Sequence, residues 1–116
     1  MMTKENVPLT WNEFMRVDMR IGTVLTAEIF KEARNPSYKF TVDFGELGIK
    51  KSSAQVTKRY KLEELVGKQV IAVVNFPSKQ IATMMSECLI MGAVGDEGVV
   101  TLLTTDKPVA NGQRVG

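Results

Sequence analysis

Five basic side chains, Lys50, Lys51, Lys58, Arg59 and Lys61, fall between residues 50 and 61 with no carboxylate among them. Cations gathered without acids can hold phosphates even in a chain of low total charge; the alternative is a solvated face. The total here is only +2, from 15 basic and 13 acidic residues, so the chain as a whole is no polybasic nucleic-acid binder. Histidine is absent, which removes the commonest general base and the commonest transition-metal ligand. Cys88 is the one cysteine. It stands beside Leu89, Ile90 and Met91 and reads as a small buried hydrophobe, and a lone thiol fits a reducing cytoplasm. Serines are plentiful, but no G-x-S-x-G sequence supports a serine nucleophile. We therefore expect no catalytic residue, no metal and no cofactor, and a binding module in place of an enzyme.

The elements that must carry these groups can be read in order. Thr10-Trp-Asn-Glu13 fits a capping box, and Trp11, Phe14 and Met15 follow at helical spacing. Residues 20–30 predict a strand with Ile21, Thr23, Leu25, Ala27 and Ile29 on one face and a bulge or tight bend at Gly22. Asn35-Pro36 places a loop over residues 31–37. Tyr38, Phe40, Val42 and Phe44 then alternate with Lys39, Thr41 and Asp43, the clearest half-buried strand in the chain. Sharing that face, the aromatics read as core more than as stacking platforms for bases. A turn at Gly45-Glu-Leu-Gly48 leads to a polar third strand over residues 49–56. By period two, Lys50 and Ser52 share one face and Lys51 and Ser53 the other, so only half of the motif can meet a ligand.

Residues 57–66 predict a helix stopping at Gly67. Lys58, Arg59 and Lys61 at its start would oppose the macrodipole at roughly 0.3–1 kcal/mol each, a cost that a bound anion relieves. Strands are predicted over residues 70–76 and 86–94, a tight turn at Gly95-Asp-Glu-Gly98, and a strand over 99–103; the tail from 106 to 116 has turn chemistry and no strand signal. Three strands, a helix and two strands is the order of a five-stranded oligonucleotide-binding barrel. The expectation is one all-β domain over residues 1–116, with a short N-terminal helix and a C-terminal extension. No apolar run approaches the ~20 residues of a membrane span, and residues 1–8 lack the apolar run of a signal peptide, so no membrane insertion is expected.

In this barrel class a single strand of nucleic acid crosses the second and third strands between the first-to-second and fourth-to-fifth loops. Arg34 belongs to the first of these loops and Lys79 to the second, both within reach of phosphates. The second loop, residues 77–85, also carries Ile81, Met84 and Met85, with Phe76 at its entrance. Pliable apolar side chains of this kind suit varied polypeptide segments, or else they anchor the loop to the core.

Asp18-Met-Arg-Ile-Gly22, Val70-Ile-Ala-Val-Val-Asn-Phe-Pro77 and Ser86-Glu-Cys-Leu-Ile-Met-Gly92 together resemble the tRNA-binding-domain family. These are small barrels found alone or appended to aminoacyl-tRNA synthetases. Ile49-Lys-Lys-Ser-Ser-Ala-Gln-Val-Thr-Lys-Arg-Tyr60 narrows the resemblance to the free-standing CsaA-like members, described as export-related chaperones. It runs from about residue 14 to the C-terminus. Asn75 and Ser86 match the family's Asn and Ser, each able to read a base edge or hold a phosphate; the alternative is a hydrogen bond that closes the loop.

The resemblance implies tRNA and unfolded or export-destined polypeptides as partners, with the secretion translocase as a further one, in the cytoplasm. A chaperone with tRNA-binding capacity is the expected function, and a stand-alone structure-specific tRNA-binding protein without a chaperone role is the alternative. Nucleic acid is assigned to Arg34, Lys50, Lys51, Ser53, Lys58, Arg59, Asn75, Lys79 and Ser86, and polypeptide to Phe76, Ile81, Met84 and Met85. Free-standing members also imply a homodimer, here through Trp11, Phe14, Met15, Pro108 and Val109. One departure matters. Many synthetase-linked members carry a more basic fourth-to-fifth loop, so this chain should bind RNA more weakly and with less salt dependence.

Overall fold

The structure is a computed structural model and describes residues 6–116, so most of the segment read as lacking a signal peptide lies outside it. Its elements are α1 (Trp11–Met15), β1 (Met19–Ile29), β2 (Tyr38–Asp43), β3 (Ile49–Ala54), α2 (Leu62–Leu65), β4 (Gln69–Val73), β5 (Lys79–Ile81), β6 (Met84–Ser86), β7 (Leu89–Ile90), β8 (Gly92–Val94), β9 (Val100–Leu102) and β10 (Arg114–Val115). The main sheet is antiparallel in the order β3-β2-β1-β4-β7. It curls until β3 meets the segment just before β7, giving a nearly closed barrel. The Glu87 amide donates to the Lys51 carbonyl at 2.8 Å, and the Lys51 amide donates to Glu87 Oε1 at 2.8 Å. Ser52 Oγ, buried in the same seam, donates to the Cys88 carbonyl at 2.7 Å.

Alternation in β2 works as the sequence implies. Phe40 and Val42 point into the core with Phe44 just beyond, while Tyr38 packs at its margin and donates its hydroxyl to the Tyr60 carbonyl at 2.8 Å. In β1 the expected face divides. The pairing with β2 slips between Val24 and Thr26, so Leu25 is the extra, exposed residue; Val24 faces the core before it and Ala27 packs against the core after it, while Ile21 is buried and Ile29 exposed. A bulge inserts one extra residue and so exchanges the faces beyond it. The bulge is therefore not at Gly22, whose role is close approach: a Cβ there would stand 2.6 Å from Val42 Cγ1 and 2.8 Å from the Phe44 ring.

The predicted helix over residues 57–66 shrinks to the single turn of α2, with Lys61 as its N-cap and Lys58 and Arg59 in a preceding turn. Both Val56 and Tyr60 are held by the core, and the Val56 carbonyl accepts from the amides of Arg59 and Tyr60. That tight turn is fixed by its two anchors, so the macrodipole argument for an anion at Lys58, Arg59 and Lys61 does not apply.

The fourth strand ends at Val73, three residues early, and the expected loop over residues 77–85 is a β5–β6 hairpin turning at Ala82, whose φ is +49°. The expected strand over 86–94 is broken into pieces because residues 86–88 turn across the seam to β3. The tail is no loose extension. The Gln69 side chain donates to the Val109 carbonyl at 2.7 Å and accepts from the Val109 amide at 3.1 Å, and β10 pairs with the start of β1. Gly112, at φ +89°, lies so close to Phe44 that a Cβ would stand 2.6 Å from the Phe44 carbonyl oxygen.

Candidate functional site

Where the barrel seam meets the loop after β1, the surface opens into a groove with two connected parts of about 600 and 400 Å³, which share Ser53, Ile81 and Leu89. The first part runs from Arg34 past the end of β3 to Val94 and Val100 of the β8–β9 hairpin; the second runs under Phe76, Pro77, Lys79 and Ser86. Its floor is mostly apolar side chain, and among the described residues no carboxylate lines either part. Arg34 stands at one end and Lys79 at the other. Among the described residues neither has an ion-pair partner. Apolar area flanked by free cations suits a chain that buries flat or aliphatic groups between anionic ones.

Of the expected nucleic-acid set, the groove thus gathers Arg34, Ser53, Lys79 and Ser86. Lys51 is on the same outer face of β3 but opens onto a separate recess of about 360 Å³, under the tip of the β5–β6 hairpin, with Thr26, Glu28, Lys39 and Thr41. Lys50 shares the inward parity of Ser52 and is half-buried. Lys58 and Arg59 are drawn to the β8–β9 hairpin: Lys58 Nζ donates to the Glu97 carbonyl at 2.7 Å and Arg59 Nη1 to Thr101 Oγ1 at 2.9 Å. They strap that hairpin to the barrel and line no part of the groove.

Asn75 also has a structural engagement. Its Nδ2 donates to the Arg16 carbonyl at 2.6 Å, and its Oδ1 accepts from the Asp18 amide at 3.0 Å. The side chain clamps the segment between α1 and β1 against the end of β4, immediately before Phe76 and Pro77 on the groove wall. Ser86 Oγ donates to the Cys88 carbonyl at 3.2 Å and still faces the groove. Cys88 is buried beneath the seam, and desolvation pushes its thiol up to about 11.

The expected polypeptide set divides as well. Phe76 is 58% exposed and Ile81 half-buried, both on the groove, and Met85 is exposed at the hairpin tip. Met84 is buried, so it anchors the hairpin and presents little area to a ligand. In α1, Trp11 is 84% exposed and Met15 exposed, with Phe14 half-buried; Val7, Leu9 and Val17 extend the same uncovered apolar segment. Pro108 is exposed, whereas Val109 is half-buried against its own barrel through Gln69. Sequence reasoning missed Glu28, Lys39, Thr26 and Thr41. The outward parity of Lys39 and Thr41 was legible in β2, but Glu28 becomes their neighbour only through the β1–β2 register set by the bulge.

Comparison with known proteins adds three findings. The family model described as "Putative tRNA binding domain" matches residues 19–114. Methionine--tRNA ligase of Methanocaldococcus jannaschii is 33% identical over 111 residues; the match takes in 96% of this chain and spans 16% of that protein's length. Two solved structures match across their whole chains. Chaperone CsaA of Bacillus anthracis is 48% identical with a TM-score of 0.90, covering 95% of this chain and 100% of that one. The CsaA chaperone protein of Picrophilus torridus is 45% identical with a TM-score of 0.87, covering 94% and 100% respectively.

Proposed function

Since this chain belongs to the tRNA-binding-domain family and is CsaA-like within it, we propose that it binds tRNA along the groove and shields unfolded or export-destined polypeptides on the same surface. The observation that carries this reading is the groove lined by no carboxylate among the described residues, apolar in its floor, with Arg34 and Lys79 at its ends. Unstacked bases gain from burial on such a floor, and the two cations meet phosphates on either side. Two relatives matched over their whole length are named chaperones, and the match to the ligase spans only 16% of it, so the proposed role is binding without catalysis.

Arg34, Lys79 and Lys51 together would neutralise about three phosphates. At about 0.7 per phosphate for single strands, log affinity should fall with log salt at a slope near −2, or roughly 20-fold between 50 and 200 mM. Titration of tRNA against salt measures this. Absence of binding, or binding indifferent to salt, would sink the proposal.

Polypeptide binding is the finer part of the reading. Phe76, Ile81 and Leu89 offer apolar area in the groove that Lys79 borders, so client and tRNA should compete. Suppression of client aggregation that tRNA does not diminish would separate the two surfaces. No suppression at all would leave the alternative, a stand-alone tRNA-binding protein. We place this activity in the cytoplasm, with the secretion translocase as a further partner; among the described residues no helix is long and apolar enough to cross a membrane. The uncovered apolar segment around Trp11 and Met15 supports a homodimer, and sedimentation equilibrium giving a 12.9 kDa species at micromolar concentration would refute it.

A further inference from the structure

The outer face of β1, β2 and β3 carries charge that the groove leaves unassigned. The cross-strand register sets Glu28 opposite Lys39 and Lys39 opposite Ser53; two residues along, it sets Thr26 opposite Thr41 and Thr41 opposite Lys51. Diagonal neighbours on such a face are about 7–8 Å apart, which places Lys39 and Lys51 side by side on the recess under the hairpin tip. Ser53 belongs to the adjoining groove, so groove and face meet there. The two lysines are not equivalent there. Lys51 has no ion-pair partner among the described residues. Lys39 Nζ lies 3.5 Å from Glu28 Oε1 and 5.6 Å from the centre of the Phe30 ring.

We propose that Glu28 competes with RNA phosphate for Lys39, so that a phosphate subsite between Lys39 and Lys51 is half-neutralised in the free protein. This inference rests on the tRNA reading of the groove. An incoming phosphate must displace the carboxylate before Lys39 can serve it, and the displaced carboxylate then remains nearby as a like charge. Glu28 therefore lowers affinity and makes it less sensitive to salt, because Lys39 reaches phosphate only part of the time. The Glu28 side chain is 69% exposed, so the carboxylate can be neutralised without disturbing the core.

The test is tRNA binding across a salt series by the wild type, Glu28→Gln, Lys39→Gln and the double variant, with thermal melting to confirm folding. Glu28→Gln should bind about two- to fivefold more tightly, the size expected of one exposed ion pair. Its salt slope should steepen by up to about 0.7, the share of one further phosphate. In the Lys39→Gln background the same change should gain nothing. Unchanged or weaker binding by Glu28→Gln overturns the proposal, and so does a gain that persists without Lys39, which would mark a general field effect. If neither the wild type nor Glu28→Gln binds tRNA, the groove reading fails and takes this inference with it. Wild-type binding that Glu28→Gln leaves unmoved defeats this inference alone.

Discussion

Replacing Asn75 with Ala tests whether this side chain positions the groove wall or touches the ligand. The change removes two hydrogen bonds, the 2.6 Å bond from Nδ2 to the Arg16 carbonyl and the 3.0 Å bond from the Asp18 amide to Oδ1. A net contribution of about 0.5–1.5 kcal/mol for each gives an upper total near 3 kcal/mol. Asn75 is exposed, however, so water can reach both abandoned backbone groups and the loss should be about 1–2 kcal/mol. For a domain of 116 residues that corresponds to a fall in Tm of roughly 4–8 °C. Scanning calorimetry reads the stability, and hydrogen exchange at the Asp18 amide reads the clamp directly. Protection of that amide should fall in Asn75→Ala. Asn75→Asp keeps the acceptor for Asp18 but turns an oxygen toward the Arg16 carbonyl, so it should be at least as unstable as the alanine variant. A Tm within about a degree of wild type, with tRNA affinity sharply reduced, would refute the positioning role and make Asn75 a ligand contact.

Two further outcomes follow from burial. Met84→Ser should cost about 2–4 kcal/mol because the side chain is buried, whereas Met85→Ser at the exposed hairpin tip should cost under about 0.5 kcal/mol; equal and small costs in denaturant melts would show that the hairpin is not anchored through Met84. The Cys88 thiol, raised by burial from 9.0 to about 11, favours the protonated folded state, so its contribution is full below pH 9 and lost as pH rises toward 11. Between those values the wild type should lose up to about 1.4 kcal/mol per pH unit relative to Cys88→Ala, and parallel stability curves would refute this.

Local chemistry made much of the barrel legible from the sequence. The capping box at Thr10 and Glu13 forms as the residues imply, with Glu13 held below its ordinary pKa by the Thr10 backbone and hydroxyl hydrogen bonds. The alternation of Tyr38, Phe40 and Val42 set which face of β2 would be core, because side-chain direction in a strand follows from the backbone alone. The family motifs fixed the barrel type. What the sequence could not give was register, since hydrogen bonds between distant strands choose it. The bulge after Val24 sends Leu25 outward, the Ser52–Cys88 seam breaks the strand expected over residues 86–94, and the pull of Val56 and Tyr60 into the core cuts a ten-residue helix to one turn. The same long-range pairing sorted the basic residues. It gave Arg34 and Lys79 to the groove, Lys58 and Arg59 to a backbone strap, and Lys39 to Glu28, because a lysine's partner depends on which strand lies beside it and not on what precedes it in the chain.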